Sequence, residues 1–274
     1  MSLYRGMDRA ALDAAYNNSA AVADSTGFIA RWEEESAALR RAKPQHLDLR
    51  YGEAPRARLD FFAADTKAAP TLLFIHGGYW QRNAKEMFSF IAAGPLALDI
   101  NVALLGYTLA PEARLDTIVD ECRNGLAWLH GHLDQLGADP RRLFLSGWSA
   151  GGHLTAMLID MPVVRGALAI SGIYDLEPIR LNYLNEKLHL DEREDERNSP
   201  IRHLPEHAPP LIVAVGGDEL PELYRQSESY FAAWHQEGLA GVFLPLPGCH
   251  HYTVLEELAR PGGALGEALA GMVF

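Results

Sequence analysis

The chain has little cysteine and no long apolar run, and both shortages narrow its class. Two cysteines, Cys122 and Cys249, stand in 274 residues. That is too few for a disulfide framework, so a reducing cytoplasm is the simpler expectation. No stretch approaches the roughly 20 apolar residues of a membrane span. The N-terminal stretch SLYRGMDRAALDAA lacks the apolar centre of a signal peptide. Positive charge is also scarce: 24 Lys and Arg stand against 36 Asp and Glu, a formal net charge of -12. That balance argues against a nucleic-acid partner, whose phosphates would be repelled. It leaves a small-molecule substrate open, because a pocket can be locally basic on an acidic protein. What is present, 48% hydrophobic and 22% charged residues, suffices to build a core without metals or disulfides. At this length one domain spanning 1–274, with a modest excursion, is the expected plan.

Along the chain, residues 8–42 are rich in Ala, Glu and Arg and read as helical, ended by Pro44. Two short alternating runs, 47–51 and 57–62, suit an antiparallel pair at a sheet edge. Six buried strands follow, at 71–75, 101–107, 142–146, 165–170, 211–215 and 241–246. Helices are expected between them at about 84–98, 114–136, 150–160 and 221–238. Continuous apolar strands alternating with helices specify an α/β fold, a mostly parallel doubly wound sheet with helices on both faces. The interval 174–208 breaks that rhythm with several prolines and a charge run at 191–197, which reads as a solvated helix or loop. The interval as a whole suits a small cap-like insertion over the strand ends.

The strongest chemical signal is Gly147-Trp148-Ser149-Ala150-Gly151. A bare G-x-S-x-G is common, but this one follows the apolar run 143–145 and precedes a helical stretch, the strand–turn–helix setting the motif needs. Glycines permit a strained turn that lifts a serine hydroxyl clear of the sheet, and the helix N-terminus behind it favours developing negative charge. A second signal, His76-Gly77-Gly78-Tyr79-Trp80, ends the first buried strand. Acyl transfer needs backbone donors for its oxyanion. The N–H groups of Gly78, Tyr79 and Ala150 are the candidates, with His76 bracing the loop rather than reacting.

A general base must come late, and Cys249-His250-His251-Tyr252 follows the last strand. Two adjacent histidines cannot both face one serine. His251 is preferred because the apolar residues after it can anchor the loop. The acid that orients the imidazole belongs after the fifth buried strand, where Asp218 and Glu219 compete; the residues alone do not separate them. Trp80, Trp148 and Tyr174 are candidate aromatic pocket walls. No further carboxylate or histidine stands at metal-site spacing from the histidine pair, so neither metal nor cofactor is expected.

Together H-G-G-Y-W, G-W-S-A-G-G-H and Y-T-L-A-P (107–111) resemble the arylformamidase, or kynurenine formamidase, branch of the α/β-hydrolases, near the hormone-sensitive-lipase-like esterases. The likeness extends to Leu12-Asp13 with Tyr16-Asn17, to Ser171–Leu176, and to Glu222 with Arg225-Gln226-Ser227. It implies a triad of Ser149, His251 and one acid. Counting from Pro221-Glu222-Leu223 gives Glu219, the preferred choice; counting as in general esterases gives Asp218. It implies hydrolysis of N-formylkynurenine to kynurenine and formate, with a carboxylesterase or amidase on another small aryl ester or anilide as the alternative. A cytoplasmic enzyme without nucleic-acid or membrane partner is expected, and a homodimer is compatible with it.

Overall fold

The structure, a computed structural model, describes residues 2–274. The region expected as one helical stretch over 8–42 forms three helices: α1 (Arg9–Ala15), α2 (Asn18–Ala21) and α3 (Ser25–Ala42). Side-chain caps explain the first two starts. Asp8 accepts the Ala11 N–H, and Asn17 accepts the Ala20 N–H.

Strands β1 (Leu49–Arg50) and β2 (Arg58–Phe62) pair antiparallel at one edge, followed by β3 (Thr71–Ile75). The helix expected over 84–98 is a 3-10 helix (Lys85–Ala92) running into α4 (Ala93–Ala97). Ser36 from α3 intrudes there. Its hydroxyl donates to Met87 O and accepts the Phe90 N–H, each at 2.9 Å, taking a donor that an α-turn would have used.

Next come β4 (Asn101–Leu105), α5 (Leu115–His132), β5 (Leu143–Trp148), α6 (Ala150–Leu158) and β6 (Val164–Ile170). The eight-stranded sheet has the order β1-β2-β4-β3-β5-β6-β7-β8, where β7 is Leu211–Gly216 and β8 is Gly241–Leu246. The six strands from β3 onward are parallel, and β2 runs antiparallel to β4. Alternate residues separate the two faces. Leu73 and Ile75 of β3 join Leu126 of α5 and Leu154 of α6, while Leu72 and Phe74 meet Trp32 of α3 and Phe88. The strand order reverses at β3, so the ends of β3 and β5 form the crevice where open α/β sheets place ligands.

Between β6 and β7 lie three short helices, α7 (Glu177–Arg180), α8 (Asn185–Leu188) and α9 (Glu192–Arg197). The charge run around α9 is a helix solvated on one face, as its composition suggests, with Asp191, Glu192, Arg193, Glu196 and Arg197 exposed, but its other face is buried. Glu194 and Asp195 are only 3% and 2% exposed. Asp195 binds Arg180 at 2.9 Å and Arg202 at 3.3 Å, and Glu194 pairs with Arg114 before α5. Arg114, 80 positions away, clamps the excursion onto the body, while Arg180 and Arg202 tie its own segments together.

The chain closes with α10 (Pro221–Gln236), α11 (Thr253–Ala259) and α12 (Ala264–Val273). The N-terminal helices meet this C-terminal region directly. Ser19 Oγ lies 3.3 Å from Tyr252 OH, and Trp32 Nε1–H donates to Glu256 at 3.3 Å. No helix among the described residues is long and apolar enough to cross a membrane.

Candidate active site

Ser149 stands between β5 and α6 with φ 59 and ψ -118, the sharp reversal of a strained elbow. Its N–H donates to Ile170 O at 2.8 Å, which fixes the turn against β6. Close packing beneath it demands a residue without a side chain: a Cβ on Gly151 would stand 1.9 Å from Ile75 O. The end of β3 and the start of α6 are therefore in backbone contact, and the loop after β3 lies beside the serine.

In that loop Gly78, Tyr79 and Trp80 take successive φ values of 121, 51 and 58. A Cβ on Gly78 would strike Arg82 O at 2.4 Å, so glycine is required on both counts. Among the described residues the backbone N–H groups of Gly78, Tyr79 and Ala150 donate to no protein acceptor. Free donors of this kind are what an oxyanion needs. His76 holds the loop from beneath. Its Nδ1–H donates to Gly77 O at 2.8 Å, and its ring stacks on Tyr107 with centroids 4.4 Å apart. Ala110 N–H ties the Y-T-L-A-P segment to Trp80 O at 2.8 Å.

His251 donates from Nδ1 to Glu219 Oε2 at 2.6 Å. The other carboxylate oxygen accepts the Gly216 N–H at 2.8 Å and the Ser171 hydroxyl. Asp218 next door is exposed, its backbone N–H bound to Cys249 O at 2.9 Å. Turn geometry thus sends one acid outward and the other to the imidazole. His250 points away from the serine. Its ring meets Phe28 edge-on at 5.1 Å, and its Nδ1 accepts the N–H groups of Tyr252 and Thr253 at the start of α11. The His251 ring lies 4.7 Å from the Trp148 ring, whose Nε1–H donates to His251 O at 2.9 Å.

Ser149, His251, Trp148, Gly78 and Tyr79 line one cavity of about 370 Å³. Ser149 and His251 share it without a hydrogen bond between them, a separation that catalytic pairs in resting enzymes commonly close only with substrate bound. Two aromatics expected in the pocket lie elsewhere. Trp80 is fully buried with Nε1–H directed at His153 Nδ1 (3.3 Å), and Tyr174 is stacked on Tyr230 at 4.1 Å. Large aromatic side chains near a site serve core and pocket alike, and here the core took both.

Residues not singled out from the sequence complete the site. Ser171, at φ 50, steadies Glu219; it sits in the Ser171–Leu176 block, but nothing in that block signals the contact. The far wall comes from the N-terminal helices through Asn18, Ser19, Ser25, Thr26 and Ile29. Tyr16-Asn17 was the only sequence hint of that wall. Among the described residues no group of three His, Cys, Asp or Glu side chains is arranged to hold a metal ion.

Two buried imidazoles behind the site set an acid limit on the fold. Burial pulls His76 and His153 down from 6.5 to about 4. For His153 the geometry agrees: Nε2–H donates to Asn198 O at 2.7 Å and Nδ1 already accepts from Trp80, so a second proton would face another donor. Between those two pH values the unfolded chain binds protons that the folded chain refuses, so stability is present above about 6.5 and is lost as pH falls toward about 4. Each imidazole should contribute roughly 1.5 kcal/mol of that loss between about pH 6.5 and 5. Melting temperature measured across this window should fall, and His153→Gln should flatten the slope while lowering the neutral-pH value. An unchanged slope would remove His153 from the account.

The fold and the elbow define the class: residues 72–193 match the family described as alpha/beta hydrolase fold. Over 83% of its length the chain is 31% identical to the kynurenine formamidase of Danio rerio, covering 81% of that protein. It is 32% identical to that of Salmo salar over the same shares. A proposed thioesterase from Silicibacter sp. superposes with a TM-score of 0.83 at 29% identity, covering 93% of this chain and 97% of that one. The chain belongs to the kynurenine formamidase family of α/β hydrolases, and it is a hydrolase.

Proposed function

We propose that the chain hydrolyses an aryl formamide, N-formylkynurenine, to kynurenine and formate through a formyl-enzyme on Ser149. The observation that carries the catalytic reading is the shared cavity. It joins an elbow serine, an imidazole backed by Glu219, and backbone N–H groups without acceptors. The substrate is that of the relatives named kynurenine formamidase, to which the chain is similar over 83% of its length.

The steps follow from where the groups stand. Ser149 Oγ attacks the formyl carbon, and His251 Nε2 takes its proton. The carbonyl oxygen becomes an oxyanion facing the N–H groups of Gly78, Tyr79 and Ala150. Glu219 holds Nδ1–H and stabilises the imidazolium. Collapse breaks the C–N bond as His251 returns the proton to the aniline nitrogen, releasing kynurenine. Water, deprotonated by the same imidazole, attacks the formyl ester and expels Ser149 Oγ with formate as product. Trp148 and Tyr79 offer apolar surface to the aryl ring. The enzyme works in the cytoplasm, where Cys122 and Cys249 remain thiols, and a homodimer is compatible with this chemistry because one chain supplies the whole cavity.

Purified protein should turn over N-formylkynurenine with a kcat/KM at least about 100-fold above that for p-nitrophenyl acetate, as expected for binding energy realised in the transition state. Good turnover of the ester with none of the formamide would transfer the reading to a carboxylesterase.

A further inference from the structure

Arg82 is the one guanidinium or ammonium group lining the cavity. Its backbone is fixed: the Arg82 N–H donates to Gly78 O at 3.1 Å, in the loop that carries the free N–H groups. Its head is not committed. The guanidinium reaches Ser19 Oγ at 3.4 Å and lies 6.0 Å from the centre of the Tyr79 ring, and no carboxylate pairs with it among the described residues. On a chain of net charge -12 an arginine left without a carboxylate beside the nucleophile is an uncommon arrangement. Many of the chain's other arginines, Arg114, Arg180 and Arg202 among them, are held by acids.

A second observation lies beside Arg82, at Asn18 next to Ser19. Asn18 is 4% exposed, and its amide nitrogen donates to Tyr79 OH at 3.1 Å, yet its Oδ1 has no partner. The cavity lining thus includes an uncommitted cation and a residue, Asn18, whose enclosed amide oxygen lacks a partner. An amino-acid zwitterion has the matching pair, a carboxylate and an ammonium.

We propose that Arg82 is a specificity-determining residue that binds the α-carboxylate of an aryl amide carrying an amino-acid tail, with Asn18 Oδ1 accepting from the α-ammonium. The inference rests on the formamidase reading and deepens it. With the formyl carbon at Ser149 and the aryl ring against Trp148 and Tyr79, the tail is the part of the substrate directed toward the open end, where Arg82 is exposed. Arginine suits the task because its planar fork meets both carboxylate oxygens.

The test compares N-formylkynurenine with its α-carboxamide, which keeps the ring, formamide and ammonium but loses the negative charge. Wild-type enzyme should favour the acid by about 30-fold in kcat/KM, as a charged hydrogen-bonded pair supplies. In Arg82→Ala that preference should fall to about twofold or less, with the loss in KM and the carboxamide altered by less than about threefold; Arg82→Lys should retain part of it. Equal turnover of acid and carboxamide by wild type overturns the role of Arg82 and leaves the formamidase reading standing. So does an equal fall for both substrates in Arg82→Ala, which would make Arg82 a brace for the loop. Hydrolysis of p-nitrophenyl acetate with neither formamide turned over defeats the formamidase reading itself, and the inference with it.

Discussion

Ser149→Ala is expected to lower kcat for formamide hydrolysis by about five orders of magnitude, with the folded state retained. No other hydroxyl stands at the elbow, and water in the vacated space would lack the strained backbone that presents Oγ to the cavity. His251→Ala should cost a similar factor, because without it Oγ keeps its proton and the leaving aniline nitrogen receives none. The double variant should be hardly worse than either single one, since the two groups act as a unit. His250→Ala should cost less than about tenfold, because that ring faces Phe28 and caps α11 rather than facing the cavity. Single-turnover kinetics, together with labelling by a fluorophosphonate probe, would check the set. Full labelling of Ser149→Ala, or a greater loss from His250→Ala than from His251→Ala, would sink the assignment.

The second large effect concerns the acid. Glu219→Gln should lower kcat by about 10³- to 10⁴-fold, whereas Asp218→Asn should change it by less than about fivefold. The magnitude follows from hydrogen-bond directions. Oε1 of Glu219 accepts from Gly216 N–H and Ser171 Oγ, so a glutamine must keep its carbonyl oxygen there. Its NH₂ group then faces His251 Nδ1, which must become the acceptor. The ring proton moves to Nε2, and the imidazole no longer accepts a proton from Ser149. Asp218 is exposed and takes part in none of this. Comparable losses in both variants would mean that the turn rearranges on substrate binding.

Much of the fold could be read beforehand because the parallel strands carry their own signal. Leu72, Leu73, Phe74 and Ile75 are buried on both faces, and such continuous apolar runs look unlike anything else in the chain. The edge pair was legible for the opposite reason, its alternation. Less legible was whatever depended on a partner distant in sequence. Glu194 is buried because Arg114 comes to meet it from 80 positions away, and a local reading of the charge run sees only solvation. Ser36 reshapes the helix at 85–92 from more than 50 positions away.

The same division holds at the site. The elbow and the loop after β3 are local devices of glycine and backbone, so sequence spacing locates them. Choosing between Asp218 and Glu219 required the path of the turn after β7, which Gly217 and Asp218 direct through bonds to Leu246 O and Cys249 O. Trp80 and Tyr174 could not be assigned to pocket or core from their chemistry, since a large aromatic suits both. The N-terminal wall is the plainest omission, for helices α2 and α3 carry no reactive motif of their own.

That wall has a consequence for how the protein comes into being. Ser19 touches Tyr252 across 233 positions, and Trp32 touches Glu256 across 224. Closing so long a stretch adds little to the thermodynamic cost, which grows only with the logarithm of length, but contacts this remote are slow to form. The nucleophile is made long before its acid and base, since Glu219 and His251 follow Ser149 by 70 and 102 positions.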